Sequence, residues 1–321
     1  MKDYLKEAGN IHLSYYIAAA DELGIPYEIV IKNMTARFTY QGLSWYINNT
    51  VVPVNNSPSS RLTRDKKLAN KIMASQGIPV PAQVQVETKD EAIKFFNEHN
   101  KSIVLKPLQN YGGKGVSILP KDEKEVEEAF NDAKEKDKYG RVLAEEFIQG
   151  TNYRFLTLKD KVVGIVKRLP AYVIGNGQNT IKELAQQAND VKINREIPLD
   201  DETERHLKEQ GYTFDTIPNL NQQIFLRRNT NITTGGTSEE CFDQVDQSYK
   251  DLAVKAVNAL DLDLGGVDLI IEDISKPGKC SINEINYNPG LRLHYQPDKG
   301  EIKKVAVPIM EYIRDKYLKT K

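Results

Sequence analysis

The spacing of apolar residues predicts short helices and strands that alternate along most of the chain. Residues 14–24 (SYYIAAADELG) have the period of an amphipathic helix that ends at Gly24, and residues 25–31 (IPYEIVI) then predict a strand. Further helices are predicted over residues 64–76, 89–97, 122–137, 180–189, 201–210, 247–260 and 301–317. Further strands are predicted over residues 37–47, 82–87, 102–108, 142–150, 223–229, 265–273 and 280–286.

The order of these elements predicts an α+β fold whose central sheet is mainly antiparallel. Residues 153–170 (YRFLTLKDKVVGIVKRLP) predict a hairpin that turns at Lys159–Lys161, and other strands follow one another without a long helix between them. Residues 55–65 (NNSPSSRLTRD) are polar and contain serine and proline, so they are the best candidate for a linker. We therefore expect a small N-terminal α/β domain over residues 1–60.

Composition narrows the class of protein. The 321 residues are 40% hydrophobic and 28% charged, which is typical of a soluble globular chain with room for two or three domains or for one large α/β unit with a lid. No apolar run approaches the roughly 18–20 residues needed to span a bilayer, and the N-terminus lacks a secretory pattern. A net charge of −1 gives no drive toward nucleic acid or anionic membranes, and Cys241 and Cys280 suit a reducing compartment. We expect a cytoplasmic protein that binds neither nucleic acid nor membrane.

A glycine-rich loop is the first candidate for nucleotide chemistry. The sequence has neither the P-loop motif G-x-x-x-x-G-K-[ST] nor, after the first strand, the dinucleotide-binding motif G-x-G-x-x-G. Residues 111–117 (YGGKGVS) lie between two predicted strands. Their glycines let backbone N–H groups approach an oligophosphate, and Lys114 adds a positive charge. A flexible hairpin is the alternative for this loop taken alone. Lys106, inside the apolar IVLKP, favours the nucleotide because its charge needs a partner that a phosphate would supply.

Three oxygen-bearing side chains on the last two predicted strands form a second candidate site. Asp268 lies within the apolar GGVDLIIED, where an unpaired carboxylate is rare, and Glu284 and Asn286 are two residues apart and so share a strand face. If the two strands are adjacent and antiparallel, the three groups converge. They suit Mg²⁺, whereas a general acid–base pair or a solvent-facing edge strand are the alternatives. The glycine loop and Lys106 favour a metal and a nucleotide.

Two consecutive arginines and a histidine complete the candidates. Arg227 and Arg228 lie in FLRRNTN, where a guanidinium would bind a phosphoryl group or a carboxylate. Neighbouring strand residues point in opposite directions, so Arg228 is expected to be a surface residue if Arg227 faces the site. His294 is a candidate for lining an acceptor site, although a lone histidine is more often structural.

Five motifs in a fixed order resemble the ATP-grasp carboxylate–amine ligases, from about Leu62 to the C-terminus. They are LTRDKKLANKIMASQGIPVP, IVLKPLQNYGGKGVSI, VLAEEFIQGTNYRF, GVDLIIED and NEINYNPG. Within that family, YVIGNGQNTIKELAQQAN, EQGYTFDTIP, LRRNTNITTGGTS and INYNPGLRLHYQPDKG look like the ATP-grasp domains of bifunctional glutathione synthetase and cyanophycin synthetase. EQGYTFDTIP and LRRNTNITTGG favour the glutathione type, whereas PGLRLH favours the cyanophycin type.

The resemblance implies the ATP-grasp fold, in which two α+β subdomains clasp ATP. The N-terminal subdomain would span residues 61–150, with the glycine-rich lid at about 101–150. The C-terminal catalytic subdomain would span residues 151–321, with an insert at about 175–225. The small N-terminal domain would precede both.

The resemblance also implies roles for individual residues. The nucleotide would be bound by Lys66, Lys106, Tyr111, Gly112, Gly113, Gly115, Val116, Ser117, Glu145, Glu146, Phe147, Ile148 and Asn152. Asn152 stands where the family usually has a ribose-binding carboxylate, so ribose binding by this residue is expected to be weaker or altered. Asp268, Glu284 and Asn286 would hold two Mg²⁺ ions, with Mn²⁺ as an alternative.

Three further residues would be catalytic according to the resemblance. Arg227 would stabilise the transferring phosphoryl group, Arg292 would anchor a substrate carboxylate, and Lys114 would act from the lid. The implied reaction converts ATP, a carboxylic acid and an amine into an amide, ADP and phosphate through an acyl phosphate. It needs no enzyme nucleophile, which agrees with the absence of an obvious Ser–His or Cys–His arrangement.

The resemblance suggests amino acids or short peptides as substrates and a homodimer as the assembly. Two other functions remain open at this stage. One is a phosphotransferase that acts on a small molecule, and the other is a non-catalytic ATP-binding module.

Overall fold

The computed structural model describes residues 2–108, 115–191 and 195–319. Helices and mainly antiparallel strands are mixed along these ranges, which confirms the predicted α+β class. A search of these residues finds no helix with the length and apolar character needed to cross a membrane.

Many of the helices begin at a polar residue whose side chain accepts hydrogen bonds from free backbone N–H groups. Asn10, Asp122 and Asp246 each cap a helix in this way. In the described chain the helices are α1 (Tyr4–Ala8), α2 (Ile11–Glu22), α3 (Ser57–Arg64), α4 (Lys66–Ser75), α5 (Lys89–Glu98), α6 (Glu123–Lys136), α7 (Ile181–Val191), α8 (Asp201–Glu209), α9 (Gln247–Ala259), α10 (Arg292–Tyr295) and α11 (Ala306–Leu318).

Some strands pair with the next strand along the chain, and others pair with strands that are distant in the chain. They are β1 (Tyr27–Ile31), β2 (Thr35–Tyr40), β3 (Leu43–Asn48), β4 (Gln83–Val86), β5 (Ile103–Pro107), β6 (Ser117–Ile118), β7 (Val142–Glu146), β8 (Thr151–Leu158), β9 (Lys161–Leu169), β10 (Tyr172–Ile174), β11 (Gln223–Phe225), β12 (Thr237–Glu240), β13 (Leu264–Ile271) and β14 (Cys280–Asn286). Their sheets have the orders β1-β2-β3, β4-β7-β5-β6, β10-β11 and β12-β9-β8-β13-β14. The predicted hairpin is confirmed, because β8 ends at Leu158 and β9 starts at Lys161.

Contacts divide the chain into two compact units. Unit 1 comprises Met1–Val80, Gly150–Lys167 and Glu239–Lys321, and unit 2 comprises Pro81–Gln149 and Arg168–Ser238. Unit 1 therefore holds the sheet β1-β2-β3 together with β8, β13 and β14. Unit 2 holds the sheet β4-β7-β5-β6 and the pair β10-β11.

The N-terminal helices and strands share one hydrophobic core with the C-terminal part of unit 1. Tyr16 from α2 and Trp45 from β3 are buried in the same cluster as Leu156 from β8 and Met310 from α11. The Trp45 ring also lies 5.4 Å, between ring centroids, from Tyr317 at the end of α11. The predicted domain boundary at residue 60 stays a prediction, but the segment before it is not packed as a separate core.

The predicted linker over residues 55–65 is wrong. Most of this stretch is helix α3, with Asn56 as its N-cap and Pro58 in its first turn, where proline needs no N–H donor. Asn55 holds the start of the stretch in place, because its side-chain amide donates to the carbonyl oxygens of Leu264 and Tyr287, each at 2.8 Å. These contacts come from residues more than 200 positions away, so local composition did not indicate them.

A second core of unit 1 lies under α9 and sorts the side chains of the central strands between two faces. Tyr153 and Phe155 of β8 and Val267 and Leu269 of β13 are buried in this cluster. Because successive strand residues alternate between faces, Arg154 and Asp268 point to the other side of the sheet.

Unit 2 contains two smaller cores. In one, Leu105 of β5 is buried with Phe96 of α5 and Phe130 of α6. In the other, helices α7 and α8 pack on β10 and β11, with Leu207 and Ile224 buried. The segment predicted as an insert, residues 175–225, thus contributes most of a core of its own within unit 2.

Candidate active site

A row of charged residues crosses three strands of the central sheet in unit 1. In the antiparallel register Arg154 of β8 is opposite Asp268 of β13, and Asp268 is opposite Glu284 of β14. Lys66, the first residue of α4, reaches the far end of the row with its Nζ 2.8 Å from Glu284 Oε2. We call Arg154, Asp268, Glu284 and Lys66 the charged row. The predicted adjacency of the two carboxylate-bearing strands is confirmed.

A β-bulge determines which β14 side chains face the charged row. Asp268 pairs with Glu284 but the next residue, Leu269, pairs with Ile282, so Asn283 is an extra residue on β14. Strict alternation would place residues 282 and 284 on one face. The bulge instead leaves Ile282 in the core under α9 and turns Glu284 to the opposite face.

The guanidinium of Arg154 binds both oxygens of Asp268. Its Nε donates to Oδ1 and its Nη2 donates to Oδ2 at 2.8 Å, and the two side chains are only 11% and 2% exposed. Gly266 makes this approach possible. A Cβ there would lie 2.8 Å from Pro289 Cβ and 3.2 Å from Arg154 Nη1. The pair is bidentate, which is the strongest geometry available to an arginine and a carboxylate.

Glu284 is held ionised by its neighbours. Burial alone would raise the pKa of its carboxyl, but the charges of Lys66 and Arg154 and hydrogen bonds from Lys66 and Asn286 outweigh burial and hold that pKa below its ordinary value. The Asn286 amide donates to Glu284 Oε1 at 3.2 Å. The predicted trio of Asp268, Glu284 and Asn286 is therefore assembled on one sheet face, with both carboxylates balanced by cations.

The donor chemistry of this trio fits a hard divalent cation. Two carboxylates and an amide oxygen provide oxygen ligands for Mg²⁺, which takes the rest of its shell from phosphates and water. Among the described residues there is no group of three or more His, Cys, Asp or Glu side chains suited to a metal ion. The predicted trio contains two such residues and an asparagine, so this absence does not concern it, and the metal site stays a prediction.

Arg154 was missed by the sequence analysis. It lies in the apolar stretch YRFLTL, and the reasoning that singled out Lys106, a charge inside an apolar strand, applies to it equally. Next to it His294 is 1% exposed, and its ring nitrogens have no hydrogen-bond partner among the described residues. Burial and the charge of Arg154 lower the pKa of His294 to about 3, so the ring is neutral at pH 7.

The nucleotide-binding candidates of unit 2 are centred on an ion pair between β5 and β7. Lys106 Nζ lies 2.7 Å from Glu145 Oε1, and the side chains are 16% and 8% exposed. In the antiparallel register Glu145 is opposite Val104, so Lys106 and Glu145 are diagonal neighbours on one sheet face. The partner that the sequence required for the charge of Lys106 is, in this structure, Glu145.

The residues that follow Glu145 use part of their hydrogen-bonding capacity within unit 2. The Glu146 carboxylate accepts from the backbone N–H of Ala82 at 3.3 Å, and the Phe147 N–H donates to the Ser102 carbonyl at 3.0 Å. The Phe147 N–H is therefore already occupied. The predicted backbone contacts to adenine would have to be made by the Phe147 carbonyl and by the backbone of Ile148.

The glycine-rich loop is described only at its C-terminal end. Gly115, Val116 and Ser117 precede and enter β6, which pairs antiparallel with β5. Tyr111, Gly112, Gly113 and Lys114 lie outside the described residues.

Arg227 is buried and paired with two acids of unit 2. Its side chain is 2% exposed, its Nη2 lies 2.6 Å from Asp200 Oδ2, and its Nη1 contacts Glu202. Both acids belong to the N-terminal end of α8. The predicted strand over residues 223–229 ends at Phe225, so Arg227 lies beyond β11.

Asn152 and Arg292 are placed separately from these pairs. Asn152, on β8, has a buried Oδ1 with no hydrogen-bond partner among the described residues. Arg292 opens the short helix α10, and its Nε donates to Gln296 Oε1 at 3.0 Å.

Comparisons with known proteins agree with this geometry. The family model of the prokaryotic glutathione synthetase ATP-grasp domain matches residues 70–249. The glutathione biosynthesis bifunctional protein GshAB of Clostridium perfringens is 35% identical over 287 residues, which cover 84% of this chain and 36% of that protein. Cyanophycin synthetase of a Nostoc species is 30% identical over 316 residues, which cover 92% of this chain and 34% of the relative.

A solved structure gives the same result. The bifunctional glutathione synthetase from Pasteurella multocida is 27% identical, with a TM-score of 0.70, and the match covers 94% of this chain and 44% of that one. The chain spans well under half the length of these relatives. The family model nevertheless matches more than half of the chain, which has the ATP-grasp fold and belongs to the prokaryotic glutathione synthetase ATP-grasp family.

Proposed function

We propose that this protein is an ATP-dependent ligase that joins a carboxylate to an amine through an acyl phosphate, with an amino acid or a short peptide as substrate. The observation that carries the proposal is the charged row. Two carboxylates and an amide share one face of the central sheet, and each carboxylate is paired with a cation. Such a set suits a reaction in which phosphate charge is moved rather than one that needs a protein nucleophile.

The proposed reaction has two steps. An oxygen of the substrate carboxylate attacks the γ-phosphorus of ATP, and the bond to the β,γ-bridging oxygen breaks to release ADP. The amine nitrogen then attacks the carbonyl carbon of the acyl phosphate. Inorganic phosphate leaves, the nitrogen loses a proton, and the amide remains.

In unit 1, Asp268, Glu284 and Asn286 would hold Mg²⁺, and two ions, with Mn²⁺ as a substitute, are part of the proposal. When bound, the metal neutralises phosphate charge. Arg154 would orient Asp268 through its two hydrogen bonds to that carboxylate. Lys66 is 47% exposed and bound to Glu284, and its flexible stem would let its ammonium bind a phosphate as well.

In unit 2, Lys106 would contact nucleotide phosphates, and Glu145, Glu146 and the backbone at Phe147 and Ile148 would hold the adenine. Lys106 presents three N–H donors and gives one to Glu145, so a lysine in this position suits a phosphate as well as the carboxylate.

The glycine-rich lid is proposed to lie within residues 101–150 and to close over the phosphates through residues 111–117. Excluding water matters because the acyl phosphate would otherwise be hydrolysed. Lys114 is proposed to act from this loop.

The remaining assignments are also part of the proposal. Arg227 would stabilise the transferring phosphoryl group, and its guanidinium would then be shared between that group and the two acids that bind it in this structure, Asp200 and Glu202. Arg292 would anchor a substrate carboxylate. Asn152 would bind ribose without a charge, which predicts a weaker contact than a carboxylate makes.

The substrate class is proposed from the relatives, whose names refer to glutathione and cyanophycin biosynthesis. A cytoplasmic location belongs to the same proposal because ATP is available there and the two cysteines are unpaired. The proposal also includes assembly as a homodimer and no binding to nucleic acid or membranes.

An acid-and-amine matrix tests the proposal. The protein with Mg-ATP is offered amino acids, γ-glutamylcysteine and short peptides that contain aspartate or glutamate, and released phosphate and new masses are recorded together. We expect phosphate release coupled to a mass equal to acid plus amine minus water. In Glu284→Gln the rate should fall about 10²-fold or more, as for the loss of one electrostatic contact in other enzymes.

The same matrix separates the alternatives. ADP with a product heavier by one phosphate group would indicate a phosphotransferase. MgADP binding without turnover of any pair would indicate an ATP-binding module. Glu239→Gln is the matched control, because this carboxylate is also in unit 1 and paired with lysines but lies outside the charged row.

A further inference from the structure

Arg228 connects the insert to the strand that follows the glycine-rich loop. Its Nη1 donates to the carbonyl oxygen of Ile118 in β6, and its Nη2 donates to Glu209 Oε2 at 2.6 Å. Its Nε lies 3.5 Å from His206 Nδ1. Glu209 and His206 belong to α8, and all four residues lie in unit 2. Arg228 was expected to be a surface residue; its side chain is 32% exposed, and it is bonded to both β6 and α8.

Strand β6 needs such a contact because it is short and lies at the edge of its sheet. It comprises Ser117–Ile118, and the sheet order β4-β7-β5-β6 gives it one strand neighbour. The outward carbonyl groups of an edge strand require another partner. Arg228 supplies a charged donor to one of them, at Ile118.

The other side of the loop end is held by packing. Gly115 has φ +71°, and a Cβ on it would lie 3.0 Å from both Lys136 Cβ and Pro107 Cγ. The backbone at Gly115 is therefore set close against β5 and α6 in a conformation that favours glycine. Three residues later, at Ile118, Arg228 binds the chain from the direction of α8.

Helix α8 is a firm support for this contact. Asp200 caps it, Leu207 is buried in the core of the insert, and Arg227 binds Asp200 and Glu202 near its N-terminus. Arg227 and Arg228, adjacent in sequence, thus hold the two ends of one helix. Of this pair only Arg228 is bonded to β6 among the described contacts.

We propose that Arg228 is a positioning residue that fixes the C-terminal end of the glycine-rich loop on helix α8, so that the insert serves to place the loop over the nucleotide phosphates. This inference rests on the proposed function, because it assigns the loop to the nucleotide. A pre-placed loop end reduces the conformational freedom that must be lost when the loop closes. A misplaced loop admits water to the acyl phosphate, which then releases phosphate without forming the amide.

Hydrogen exchange tests the contact directly. The Leu119 N–H donates to the Ile103 carbonyl at 2.9 Å and reports whether β6 stays paired. In Arg228→Ala, exchange in a peptide covering residues 115–120 should be about tenfold faster, because a charge-assisted hydrogen bond to β6 is lost. Exchange over β7 should not change.

Arg205→Ala is the matched control. Arg205 is an exposed arginine of α8 that lines the same cavity of about 340 Å³ as Arg228, and it has no hydrogen bond or ion pair to another described residue. Equal exchange over residues 115–120 in the Arg228→Ala and Arg205→Ala proteins would overturn the proposal.

Nucleotide binding and turnover give the second readout. Arg228→Ala should weaken MgADP binding and raise the KM for ATP about fivefold to tenfold, with a smaller change in kcat. It should also raise the phosphate released per amide formed, an effect that a loss of overall stability does not produce. Arg228→Lys, which keeps the charge but not the fork, should fall between Arg228→Ala and the wild type.

Two further variants test the role of Arg228 if Arg228→Ala is unstable. If Arg228→Ala does not fold, Glu209→Gln and Arg228→Lys carry the test, and unchanged exchange and MgADP affinity in both would overturn the proposal. If the wild type makes no amide from any pair, the ligase proposal fails, whereas exchange and MgADP affinity still decide whether Arg228 places the loop.

Discussion

Each compact unit contains an ion pair between antiparallel strands, and the two pairs are satisfied to different degrees. In unit 1 the fork of Arg154 occupies both oxygens of Asp268, directly across from it. In unit 2 the single ammonium of Lys106 binds one oxygen of Glu145, on the diagonal. Both pairs are largely buried.

This difference indicates that the Arg154–Asp268 pair stays in place, whereas Lys106 can exchange its partner. A bidentate arginine loses two hydrogen bonds if it moves. In unit 1 a second carboxylate, that of Glu284, also attracts the guanidinium of Arg154. A lysine turns about its flexible stem and offers its donors to an incoming anion at small cost. We therefore expect the unit 1 pair to act mainly on stability and the unit 2 pair mainly on nucleotide affinity.

The largest effect is expected from breaking the unit 1 pair. Asp268→Asn leaves Arg154 buried beside a neutral amide, and we expect the free energy of unfolding to fall by about 3–5 kcal/mol, as measured by urea denaturation. The double variant Arg154→Met/Asp268→Asn should recover most of this loss, because no uncompensated charge remains.

The exposed pair of Lys89 and Glu127 is the control, with side chains 52% and 41% exposed. Glu127→Gln should cost no more than about 1 kcal/mol. A loss of this small size in Asp268→Asn would contradict the view that the unit 1 pair acts on stability.

The next effect is expected from Lys106 in unit 2. Lys106→Met should weaken MgADP binding about tenfold to a hundredfold, because a charged hydrogen-bond donor to phosphate is removed, while the free energy of unfolding changes less than in Asp268→Asn. Isothermal titration calorimetry with MgADP measures the first quantity and urea denaturation the second. Lys89→Met, in the same unit, is the control. If Lys106→Met left MgADP affinity unchanged and greatly lowered the free energy of unfolding, the Lys106–Glu145 pair would act on stability, as we expect of the Arg154–Asp268 pair, and our comparison would be wrong.

The smallest effect concerns two histidines, one in each unit, of which His294 is buried and His206 is half-buried. The pKa of His294 is about 3 in the folded protein against 6.5 for the free side chain, so between these values the unfolded chain binds the extra proton. The free energy of unfolding should therefore fall as pH is lowered below about 6.5, by up to about 1.4 kcal/mol per pH unit. Between pH 6.5 and about 5.5 the Glu284 carboxyl, whose ordinary pKa is 4.5 and is lowered in the folded state, is ionised in both states and adds little to the slope.

His294→Gln should remove this part of the slope. His206 in unit 2 is the comparison: burial and Arg228 lower its pKa, but the hydrogen bond and charge of Glu209 act in the opposite direction. His206→Gln should therefore change the slope less. Urea denaturation at several pH values measures both, and equal slopes in the wild type and His294→Gln would show that His294 binds its proton in the folded state as well.

Much of the local structure was predictable because it depends on local chemistry. Apolar period and loop composition predict three features: the turn at Lys159–Lys161, the strand pair that carries Asp268 and Glu284, and the strands on both sides of the glycine-rich loop. The linker prediction failed because it took serine and proline as loop signals, whereas Asn56 caps a helix through the nearby Ser59 N–H and Pro58 fits the first turn of that helix. The distant contacts of Asn55 then hold the start of the stretch in place.

The sequence alone determined the family, the alternation of elements and the residue types available for nucleotide and metal chemistry. These features are carried by motifs and by period, which are properties of neighbouring positions. Tertiary structure alone decided which charges are paired. Arg154 meets Asp268 because β8 lies beside β13, Glu284 turns to the charged row because of the bulge at Asn283, and Arg228 reaches β6 because α8 supports it. Strand register, bulges and contacts between distant segments depend on how the whole chain packs, and no local pattern specifies them.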